Sequence, residues 1–599
     1  MSRSFARGVV RTFTTIAVLL VTGGLPAGIA AIAQETAAED KVVLTVGTTE
    51  DMVTDNPWFA CCAEYEMLNM TYDKLLEFNT DDMTASPGLA EECTPSADYM
   101  TWTCNLRSGL KWSDGTPLTS SDVAFTFRFI VDNEIPQYKG YFPFSPTFET
   151  PNDTTLIWKA EEPTFAPLVP PWVYIVPEKV WAQYDGEDKK TIKAVGNTPT
   201  IGSGPFTLEE WVGGQYWRME RNPYYWGEEP VVDEVVFKIY SSQEGMAQAL
   251  KNGEIDIAND IIPSLREPLE ESPDIKVHVT LSDWWLNLAF NFGGQGPDAT
   301  NLPALQDITV REAIAHAINK QALADSVYLG TAEPGDTVIR PASTFWHLDI
   351  PPEEEFAFDP DLARQMLEDA GYTDTDDDGL REDPNSGEPL LLEIGASEET
   401  TGAVDAGKLI KGWLEDVGIG VELKALSEGG MYDIWGNGDF DAYIWYWYGD
   451  PDPNYQLSVF ASDQCGGWSD GCFADPEFDA LYEAQQRELN VDERLKIVQD
   501  AQRHLYKQLP GLVLAYPGGV QAYRTDRFEG WVPAPGPNGY LVFGYGSWSY
   551  VNIRPVTEGG GTPTGAGTSG ISPLVWIAIA VGVIIVLVLT LTRRGRDEA

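Results

Sequence analysis

Apolar and polar residues follow two patterns along the chain, and each pattern predicts one type of element. Runs such as "KVVLTVGT" at 41–48 and "VVDEVVFKIY" at 231–240 alternate and are rich in β-branched residues, which predicts half-buried strands. Segments such as "SQEGMAQALKN" at 242–252 and "DPDLARQMLEDAGY" at 359–372 have apolar residues at helical spacing and predict amphipathic helices. Because strands and helices take turns, we expect an α/β fold.

Local signals predict where several helices begin and end. A helix is expected over "SSDVAFTFRFIVDN", with Ser120 or Ser121 as its N-cap. In "ITVREAIAHAINKQALADSVYLG", Thr309 and Glu312 have the spacing of a capping box, and Gly330 is expected to end the helical region. From this region onward the alternation of strands and helices predicts a largely parallel sheet.

The organisation of these elements indicates two lobes. Two α/β regions of similar style are separated by a section with hairpin signals, among them the Gly109 and Asp114-Gly115 turns in "TWTCNLRSGLKWSDGTPLT". The chain has 599 residues, which is more than one hydrophobic core normally holds. We therefore expect two lobes with a cleft between them.

One strand pattern indicates a pocket wall. "FDAYIWYWYGDPDPNYQL" at 440–457 is an apolar run that must be covered on both faces. Alternation places Trp445 and Trp447 on one face and Tyr446 and Tyr448 on the other. Aromatic rings beside a carboxylate suit a ligand with an apolar or sugar-like face and a cationic or hydroxyl donor. The alternative is an interlobe hydrophobic core.

Two carboxylates and a second aromatic pair extend this candidate site. Asp450 and Asp452 follow the strand at its exit, where open α/β sheets bind ligands. In the alternative interpretation the Asp-Pro steps merely end the strand. Trp284 and Trp285 form the second pair, and because consecutive strand residues face opposite ways, at most one of them can face a cleft.

The N-terminus predicts export. Arg3, Arg7 and Arg11 precede the apolar stretch "TTIAVLLVTGGL", and "AIAQE" offers a cleavage site after Ala33. Residues 1–33 are therefore expected to be a signal peptide. No cysteine precedes Cys61, which excludes lipid attachment at a signal-peptide cysteine.

The C-terminus predicts a membrane anchor. Residues 573–592 form an uncharged stretch of about 20 residues, enough to cross a bilayer. Arginines in the tail at 593–599 place that end in the cytoplasm. The Gly/Thr/Pro-rich residues 554–572 are expected to be a flexible linker. The protein is thus expected at the cell membrane, crossing it once, with its binding domain on the extracellular side.

Charge and cysteine content narrow the function classes. Asp plus Glu number 92 against 39 Lys plus Arg, a net charge of −53, which argues against nucleic acid and anionic lipid as partners. A heavily hydrated surface is the favoured explanation. Six cysteines in an exported chain indicate disulfides, and we expect local pairs between Cys93 and Cys104 and between Cys465 and Cys472. The partners of the adjacent cysteines 61 and 62 stay open.

Signals for catalysis and metal binding are weak. Ser469 in "GWSDG" matches the nucleophile-elbow pattern, but it lies in a Gly-rich loop between two cysteines instead of between a strand and a helix. "DTDDDGLRED" at 374–383 resembles half a calcium loop, but Asn385 replaces the expected Glu, so a solvated turn is favoured. The four histidines show no ligand spacing. No cofactor or catalytic metal is expected, and a secreted hydrolase is kept only as an alternative.

A family resemblance rests on motifs spread over the chain. "GLAEECTPSADYMTWTCNLRSGLKWSDGTPLTSSDVAFTF" resembles the signature of family 5 of the ABC-transporter solute-binding proteins, the peptide- and nickel-binding family. "GSGPFTLEEWVGG", "MERNPYYWG", "ALKNGEIDIA", "VREAIAHAINKQAL", "LARQMLEDAGY" and "RLKIVQDAQRHLYKQLP" follow in family order. The resemblance covers about Lys41 to Ile553.

The resemblance implies a type II periplasmic-binding-protein-like fold with an extra subdomain in lobe I. The implied divisions are lobe I at 34–57, 197–287 and 524–553, the extra subdomain at 58–196, and lobe II at 288–523. The lobes would close over a ligand and dock on an ABC permease driven by ATPases. In peptide-binding members an Asp after the aromatic strand pairs with the ligand's amino terminus, and both Asp450 and Asp452 are possible alignments.

The resemblance leaves the ligand open. A peptide is the favoured ligand and an oligosaccharide the alternative, while few histidines disfavour nickel. The protein is expected to be a monomeric receptor and not an enzyme. The cysteine-bracketed loops and the C-terminal anchor are not general features of the family.

Overall fold

The computed structural model describes residues 41–60, 62–138, 142, 146–164, 173–293 and 302–556. The predicted signal peptide at 1–33 and the predicted transmembrane helix and tail at 573–599 lie outside these residues. Within the described ranges, none of the helices combines the length and apolar character that a membrane span requires. The strands and helices given below belong to one compact unit of the chain.

The strands of the described residues are numbered in chain order. They are β1 (Val43–Thr48), β2 (Leu76–Phe78), β3 (Ala85–Pro87), β4 (Ala90–Pro95), β5 (Thr101–Leu106), β6 (Thr147–Asn152), β7 (Thr155–Lys159), β8 (Phe206–Val212), β9 (Tyr216–Arg221), β10 (Glu234–Ile239), β11 (Ile257–Ala258), β12 (Ile275–Val279), β13 (Trp284–Phe290), β14 (Ala332–Pro334), β15 (Leu391–Ser397), β16 (Gly420–Leu426), β17 (Ala442–Tyr448), β18 (Gly511–Pro517), β19 (Val520–Arg524), β20 (Phe528–Glu529) and β21 (Arg554–Pro555).

The α-helices are numbered in the same way. They are α1 (Glu64–Thr71), α2 (Ser120–Asp132), α3 (Glu178–Trp181), α4 (Lys189–Lys193), α5 (Gln243–Asn252), α6 (Arg266–Glu270), α7 (Ile308–Ala317), α8 (Lys320–Val327), α9 (Pro360–Asp369), α10 (Ala403–Asp416), α11 (Glu428–Asn437), α12 (Asn454–Ser458), α13 (Pro476–Arg487), α14 (Val491–Gln508) and α15 (Trp548–Asn552).

Lobe I is built on a seven-stranded sheet with the order β12-β19-β11-β1-β10-β9-β8. β1 lies between β10 and β11 and runs parallel to both, whereas β9 and β19 pair antiparallel with their neighbours. Helix α5 connects β10 to β11 and packs its apolar face, including Met246 and Leu250, against β1 and β11. It ends at Gly253 in the left-handed region, φ 73°, as its sequence predicts.

A four-stranded antiparallel sheet, β4-β5-β7-β6, forms a second layer on this lobe. Cys93 and Cys104 lie directly opposite each other on β4 and β5 and form the predicted disulfide. Helix α2 packs beside this sheet, and its N-cap is Thr119, not the predicted Ser120 or Ser121. Thr119 is the N-cap because Asp122, at the third helical position, completes a reciprocal capping box with it.

Lobe II is built on a six-stranded sheet with the order β14-β18-β13-β17-β15-β16. Only β15, β16 and β17 run parallel, so the predicted largely parallel sheet is wrong for the other half. The single helical region expected from 308 to 330 is two helices, α7 and α8, because Asn319 caps a new helix. Asp307 caps α7 in place of the predicted Thr309 capping box.

Two short segments connect the lobes. Residues 280–283 lead from β12 in the first sheet to β13 in the second, and residues 518–519 lead from β18 to β19. The chain thus passes between the two sheets a few residues before the lobe boundaries that were expected after residues 287 and 523. The chain then returns to lobe I, where β21 pairs with β20, so the body extends past Ile553 into the first residues of the expected linker.

The two crossing segments are hydrogen-bonded to each other. The Thr280 amide donates to the Gly519 carbonyl at 2.8 Å, and the Gly519 amide donates to the Thr280 hydroxyl at 2.9 Å. Gly518 lies so close to this partner that an added Cβ would be 2.2 Å from the Thr280 carbonyl oxygen and 2.8 Å from that of Thr331. Gly518 is therefore required for the two segments to lie side by side.

We expect Gly518→Ala to lower the free energy of unfolding by about 3 kcal/mol, because the clash is with backbone that must move. Chemical denaturation of the full-length protein measures this change. Gly519→Ala is the matched control: its Cβ would meet the Thr280 hydroxyl at 3.1 Å and the Tyr540 ring at 3.5 Å, and side chains can shift. Equal stability of the two variants would show that the crossing is not tightly packed.

Candidate functional site

Strand β17 carries the aromatic run into the middle of the lobe II sheet. It pairs antiparallel with β13, so that Trp284 lies opposite Tyr448 and Trp285 opposite Trp447. Ile444 is fully buried in the core of lobe II, whereas Tyr448 at the end of the strand is 57% exposed. The strand therefore runs from the core to a surface beside the crossing at 280–283.

The side chains of β17 alternate between two faces, as the sequence predicts. On one face Trp445 packs edge-on against Tyr432 of α11, with ring centroids 5.6 Å apart. On the other face Tyr446 lies edge-on to Tyr448 and to Trp284, with ring centroids at 5.2 and 6.0 Å. Each of these rings keeps some exposed area. They form an aromatic surface at the end of the strand.

The paired tryptophans of β13 have different environments. Trp285 is fully buried and packs with Val338, Leu457 and Tyr516 in the core behind the sheet. Trp284 is half-buried and points toward the aromatic surface. Of this pair only Trp284 has a partly exposed ring, because Trp285 is fully buried on the opposite face of the strand.

Asp452 is held by a buried arginine. Its two carboxylate oxygens accept hydrogen bonds from both terminal nitrogens of Arg494 at 2.7 and 2.9 Å. It also accepts from the Asn454 amide, at the start of the short helix that follows, at 2.9 Å. The Arg494 side chain is 10% exposed and is further fixed by Gln485. Asp452 is therefore a structural residue of lobe II.

Asp450 lies at the junction of the strand exit with lobe II. Its backbone carbonyl accepts from Gln456 at 2.7 Å and from Arg340 at 3.3 Å. The preceding Gly449 donates its amide to the Asp283 carbonyl at 2.9 Å. A Cβ at Gly449 would be 2.2 Å from Arg340, so glycine is required for the guanidinium to pass. These contacts fix the backbone from which the Asp450 carboxylate projects.

Arg340 connects the two lobes at this junction. It is 1% exposed and donates to the Ser343 hydroxyl of its own lobe and to the Tyr545 hydroxyl of lobe I, both at 2.7 Å. Burial raises the pKa of the Asp283 carboxyl, while the Arg340 guanidinium and the Tyr540 hydroxyl act in the opposite direction. The Arg340 guanidinium therefore acts on the Asp283 carboxyl where the lobes meet.

Lobe I contributes further carboxylates. Glu50 and Asp260 each lie two residues beyond neighbouring parallel strands, β1 and β11, so they share one edge of the sheet. Burial, and then the charge of Asp260, raises the pKa of Glu50. Burial, and then the Asp283 and Glu50 charges together with the Tyr446 hydroxyl, raises the pKa of Tyr448. Acidic groups of lobe I therefore act on the aromatic surface of lobe II.

Asp470 is a site residue that the sequence alone did not identify. It lies in the loop closed by the predicted Cys465–Cys472 disulfide, which the structure contains. Its carboxylate accepts hydrogen bonds from Asn287 at 2.9 Å and from Tyr443 and Trp447 at 2.8 Å. Burial raises its pKa to about 6 against these three donors. The available signal was the pair of cysteines that brackets this loop.

The hydrolase motif does not have the geometry of a nucleophile elbow. Ser469 follows a 3₁₀ turn, not a strand, and its buried hydroxyl accepts from the Cys472 amide at 3.0 Å. His504 contacts Asp475, which caps helix α13. Both residues therefore have structural contacts in lobe II.

The acidic loop predicted as a solvated turn has converging carboxylates. One oxygen each from Asp374, Asp376, Asp378 and Glu382 lies within 4.8 Å of the others, and the three aspartates are exposed. The Gly379 amide donates to the Asp374 carboxylate at 2.9 Å, so carboxylates of this loop accept hydrogen bonds from the backbone of the turn. This loop lies far along the chain from the aromatic strand and takes no part in the junction described above.

Two α/β lobes joined by two crossings, with an aromatic and acidic surface at their junction, define a two-lobed solute-binding protein. The family model for "bacterial extracellular solute-binding proteins, family 5 middle" matches residues 84–468. The chain belongs to this family. Family 5 consists of solute-binding receptors and not of enzymes, so the hydrolase alternative is wrong.

Curated relatives match most of the chain. The nickel-binding periplasmic protein of Escherichia coli is 27% identical over 400 residues, which covers 65% of this chain and 72% of that protein. The dipeptide-binding protein of Pseudomonas aeruginosa is 26% identical over 483 residues, which covers 76% and 85%.

Solved structures share the fold. A periplasmic oligopeptide-binding protein of an ABC transporter from Thermotoga maritima aligns with a TM-score of 0.72 at 22% identity, covering 86% of this chain and 99% of that one. The substrate-binding protein CtaP from Listeria monocytogenes aligns with a TM-score of 0.69 at 23% identity, covering 82% and 96%. The predicted two-lobed fold is thereby confirmed.

Proposed function

We propose that this protein is an extracellular receptor that captures a peptide between its lobes and delivers it to an ABC permease and its ATPases. The observation that carries this proposal is the position of Asp450, at the exit of the aromatic strand and beside the lobe junction. A carboxylate beside a cleft attracts a cationic group of the ligand, and the ammonium group of a peptide is the simplest one. The names of the dipeptide-binding and oligopeptide-binding relatives support the same ligand class.

We infer different roles for Asp450 and Asp452 from their positions and contacts. Asp452 pairs with Arg494 inside lobe II, whereas Asp450 lies beside the lobe junction, so we assign Asp450 to the ligand. Trp284, Trp445, Trp447 and Tyr448 would contact the ligand's apolar parts, whereas Trp285 supports them from the core.

Nickel is a weaker candidate although one relative is named for it. The histidines contact separate partners: His278 the Gly539 carbonyl, His316 the Ala357 carbonyl, His347 the Ile339 carbonyl and His504 the Asp475 carboxylate. In the part of the chain that the structure describes, the acidic loop at 374–382 is the one cluster with metal-ligand spacing, and it contains no histidine.

The anchoring at the membrane is part of the same proposal. The apolar stretch 573–592, followed by arginines, would hold the receptor at the outer face of the membrane through the linker that precedes it. The disulfides support an oxidising location outside the cytoplasm. We further propose that the receptor acts as a monomer.

We expect Asp450→Ala to weaken peptide binding about 100-fold, since it leaves the ligand's ammonium without its anion in a closed cleft. Native mass spectrometry of the gently purified full-length protein identifies a co-purifying peptide, and calorimetry with that peptide measures the change. Asp433→Ala removes an exposed carboxylate of the same lobe and is the matched control.

A sugar mass in place of a peptide would favour the oligosaccharide alternative and move the binding role to the rings. Absence of any bound species, even with peptide and sugar libraries added, would contradict the receptor proposal. Unchanged affinity of Asp450→Ala for the identified peptide would overturn the assignment of Asp450 alone.

A further inference from the structure

The loop between Cys465 and Cys472 is fixed to the ligand-side strands more firmly than a surface loop requires. The Asp470 carboxylate is buried under three donors from β13 and β17, as described above. The Gly471 carbonyl accepts from the Phe292 amide at 2.7 Å, and a Cβ at Gly471 would be 1.8 Å from the Phe290 carbonyl oxygen. The disulfide then closes the loop across seven positions. Asp470 and Gly471 therefore fix this loop to the sheet beside Trp468.

What the loop presents is an exposed indole. Trp468 is 61% exposed, yet it lies edge-on to Trp447 with ring centroids 6.2 Å apart and an interplanar angle of 69°. Tyr455 is 37% exposed and also lies edge-on to Trp447, with an interplanar angle of 70° and ring centroids 6.3 Å apart. Trp447, Tyr455 and Trp468 are named here the aromatic box. Tyr455 and Trp468 thus place two partly exposed rings beside Trp447, and aromatic rings attract a cationic group that lies over their faces.

Two carboxyl groups act on the aromatic box. Burial raises the pKa of the Tyr455 hydroxyl to about 12, and the Asp450 and Asp470 carboxylates add to this effect. Both carboxylates therefore act on one ring of the box. The nearby guanidinium of Arg340 donates to Ser343 and Tyr545 and to the backbone carbonyl of Asp450, and not to the Asp450 carboxylate in any hydrogen bond described above. A cation in the box would gain both ring and carboxylate attraction.

A buried acceptor beside the box also lacks a donor. Gln456 is fully buried next to Tyr455, and its Nε2 donates to the Asp450 carbonyl at 2.7 Å. Its Oε1 is buried without a hydrogen-bond partner among the described residues. A buried amide oxygen without a donor costs free energy, which a ligand N–H would offset.

We propose that the disulfide-closed loop completes the ligand site, and that the aromatic box binds the cationic side chain of a lysine- or arginine-containing peptide. The inference rests on the proposed function and deepens it: Asp450 would orient the peptide's amino terminus, and the box would select a second positive charge. Trp468 is then a specificity-determining residue, and the loop is a feature of this chain's own site.

The test compares two pools of tripeptides added to the full-length protein. Each peptide has one Lys in one pool and one norleucine in the other, with Ala, Ser or Leu at the remaining positions. Norleucine keeps the length of the lysine stem and lacks its ammonium group. We expect wild-type protein to bind the lysine pool about tenfold more tightly by calorimetry, which is the range of a cation–π contact with carboxylate support.

We expect Trp468→Ala to lose most of this preference while the norleucine pool binds as before. Trp468→Phe, which keeps a ring, should retain part of it, and Tyr224→Ala, which removes a 43% exposed ring on the other lobe, should change nothing. Thermal unfolding checks that the variants fold alike. Equal affinity of wild-type protein for both pools would overturn the inference and leave the peptide receptor standing. Failure of both pools to bind would contradict the proposed function as well.

Discussion

Asp452→Ala is expected to lower the free energy of unfolding by about 3 kcal/mol. The substitution leaves the Arg494 guanidinium, 10% exposed, without the carboxylate that neutralises it. An uncompensated buried charge costs more than the pair contributes, because the desolvation penalty remains after the attraction is lost. Urea denaturation of the full-length protein, followed by tryptophan fluorescence, measures the change.

The chain offers a matched control on the same helix as Arg494. Glu493 and Lys496 form an ion pair whose side chains are 57% and 64% exposed, and Glu493→Ala should change stability by less than about 0.5 kcal/mol. Replacing both Asp452 and Arg494 by apolar residues should recover part of the loss. If Asp452→Ala were as stable as wild type but no longer bound peptide, Asp452 and not Asp450 would be the ligand's anchor.

The sequence alone could not decide which of the two aspartates contacts the ligand. Asp450 and Asp452 are two residues apart in the same Pro-rich stretch, and both fit the family pattern. The residue that separates them is Arg494, which lies 42 positions further along the chain on α14. A tertiary partner at that distance leaves no local signal. Periodicity, in contrast, predicted β17 and the opposite faces of its rings, because alternation is a property of the strand itself.

The same reasoning explains the other differences. The helix expected from 308 to 330 is interrupted at Asn319, since a side-chain cap outweighs continued apolar spacing there. Sheet directions in lobe II depend on which strands meet, and β13 and β18 are brought together only by the crossings. Asp470 is hidden for a similar reason, because its three donors come from two strands distant in the chain.

The buried carboxyl groups are expected to make the stability of the protein depend strongly on pH. Burial raises the pKa of Glu66 to about 7, against hydrogen bonds from the Tyr550 hydroxyl and the Phe543 amide. Burial likewise raises the pKa of Asp73 and of Asp470 to about 6. In the unfolded chain such groups have pKa values near 4. At a pH between the unfolded and the native pKa of such a group, the native state binds a proton that the unfolded state does not.

The sign of the effect follows from this difference in bound protons. Stability decreases as the pH rises wherever the native state holds more protons, so these three groups stabilise the fold most at mildly acidic pH. Each contributes about 1.4 kcal/mol per pH unit between its two pKa values, which sums to about 5 kcal/mol from pH 5 to 7.5. Burial lowers the pKa of His278 and lowers that of Lys320 to about 8, so these two groups act in the opposite direction.

We therefore expect the full-length protein to unfold at a higher temperature at pH 5 than at pH 7.5. Glu66→Gln provides the control, because its amide carbonyl can still accept from Phe543 and Tyr550 but no longer titrates. Its stability should vary with pH less steeply than that of wild type, by about 1.4 kcal/mol per unit between pH 5 and 7. A wild-type protein that is more stable at pH 7.5 than at pH 5 would mean that the pKa values of these carboxyls are not raised in the native state.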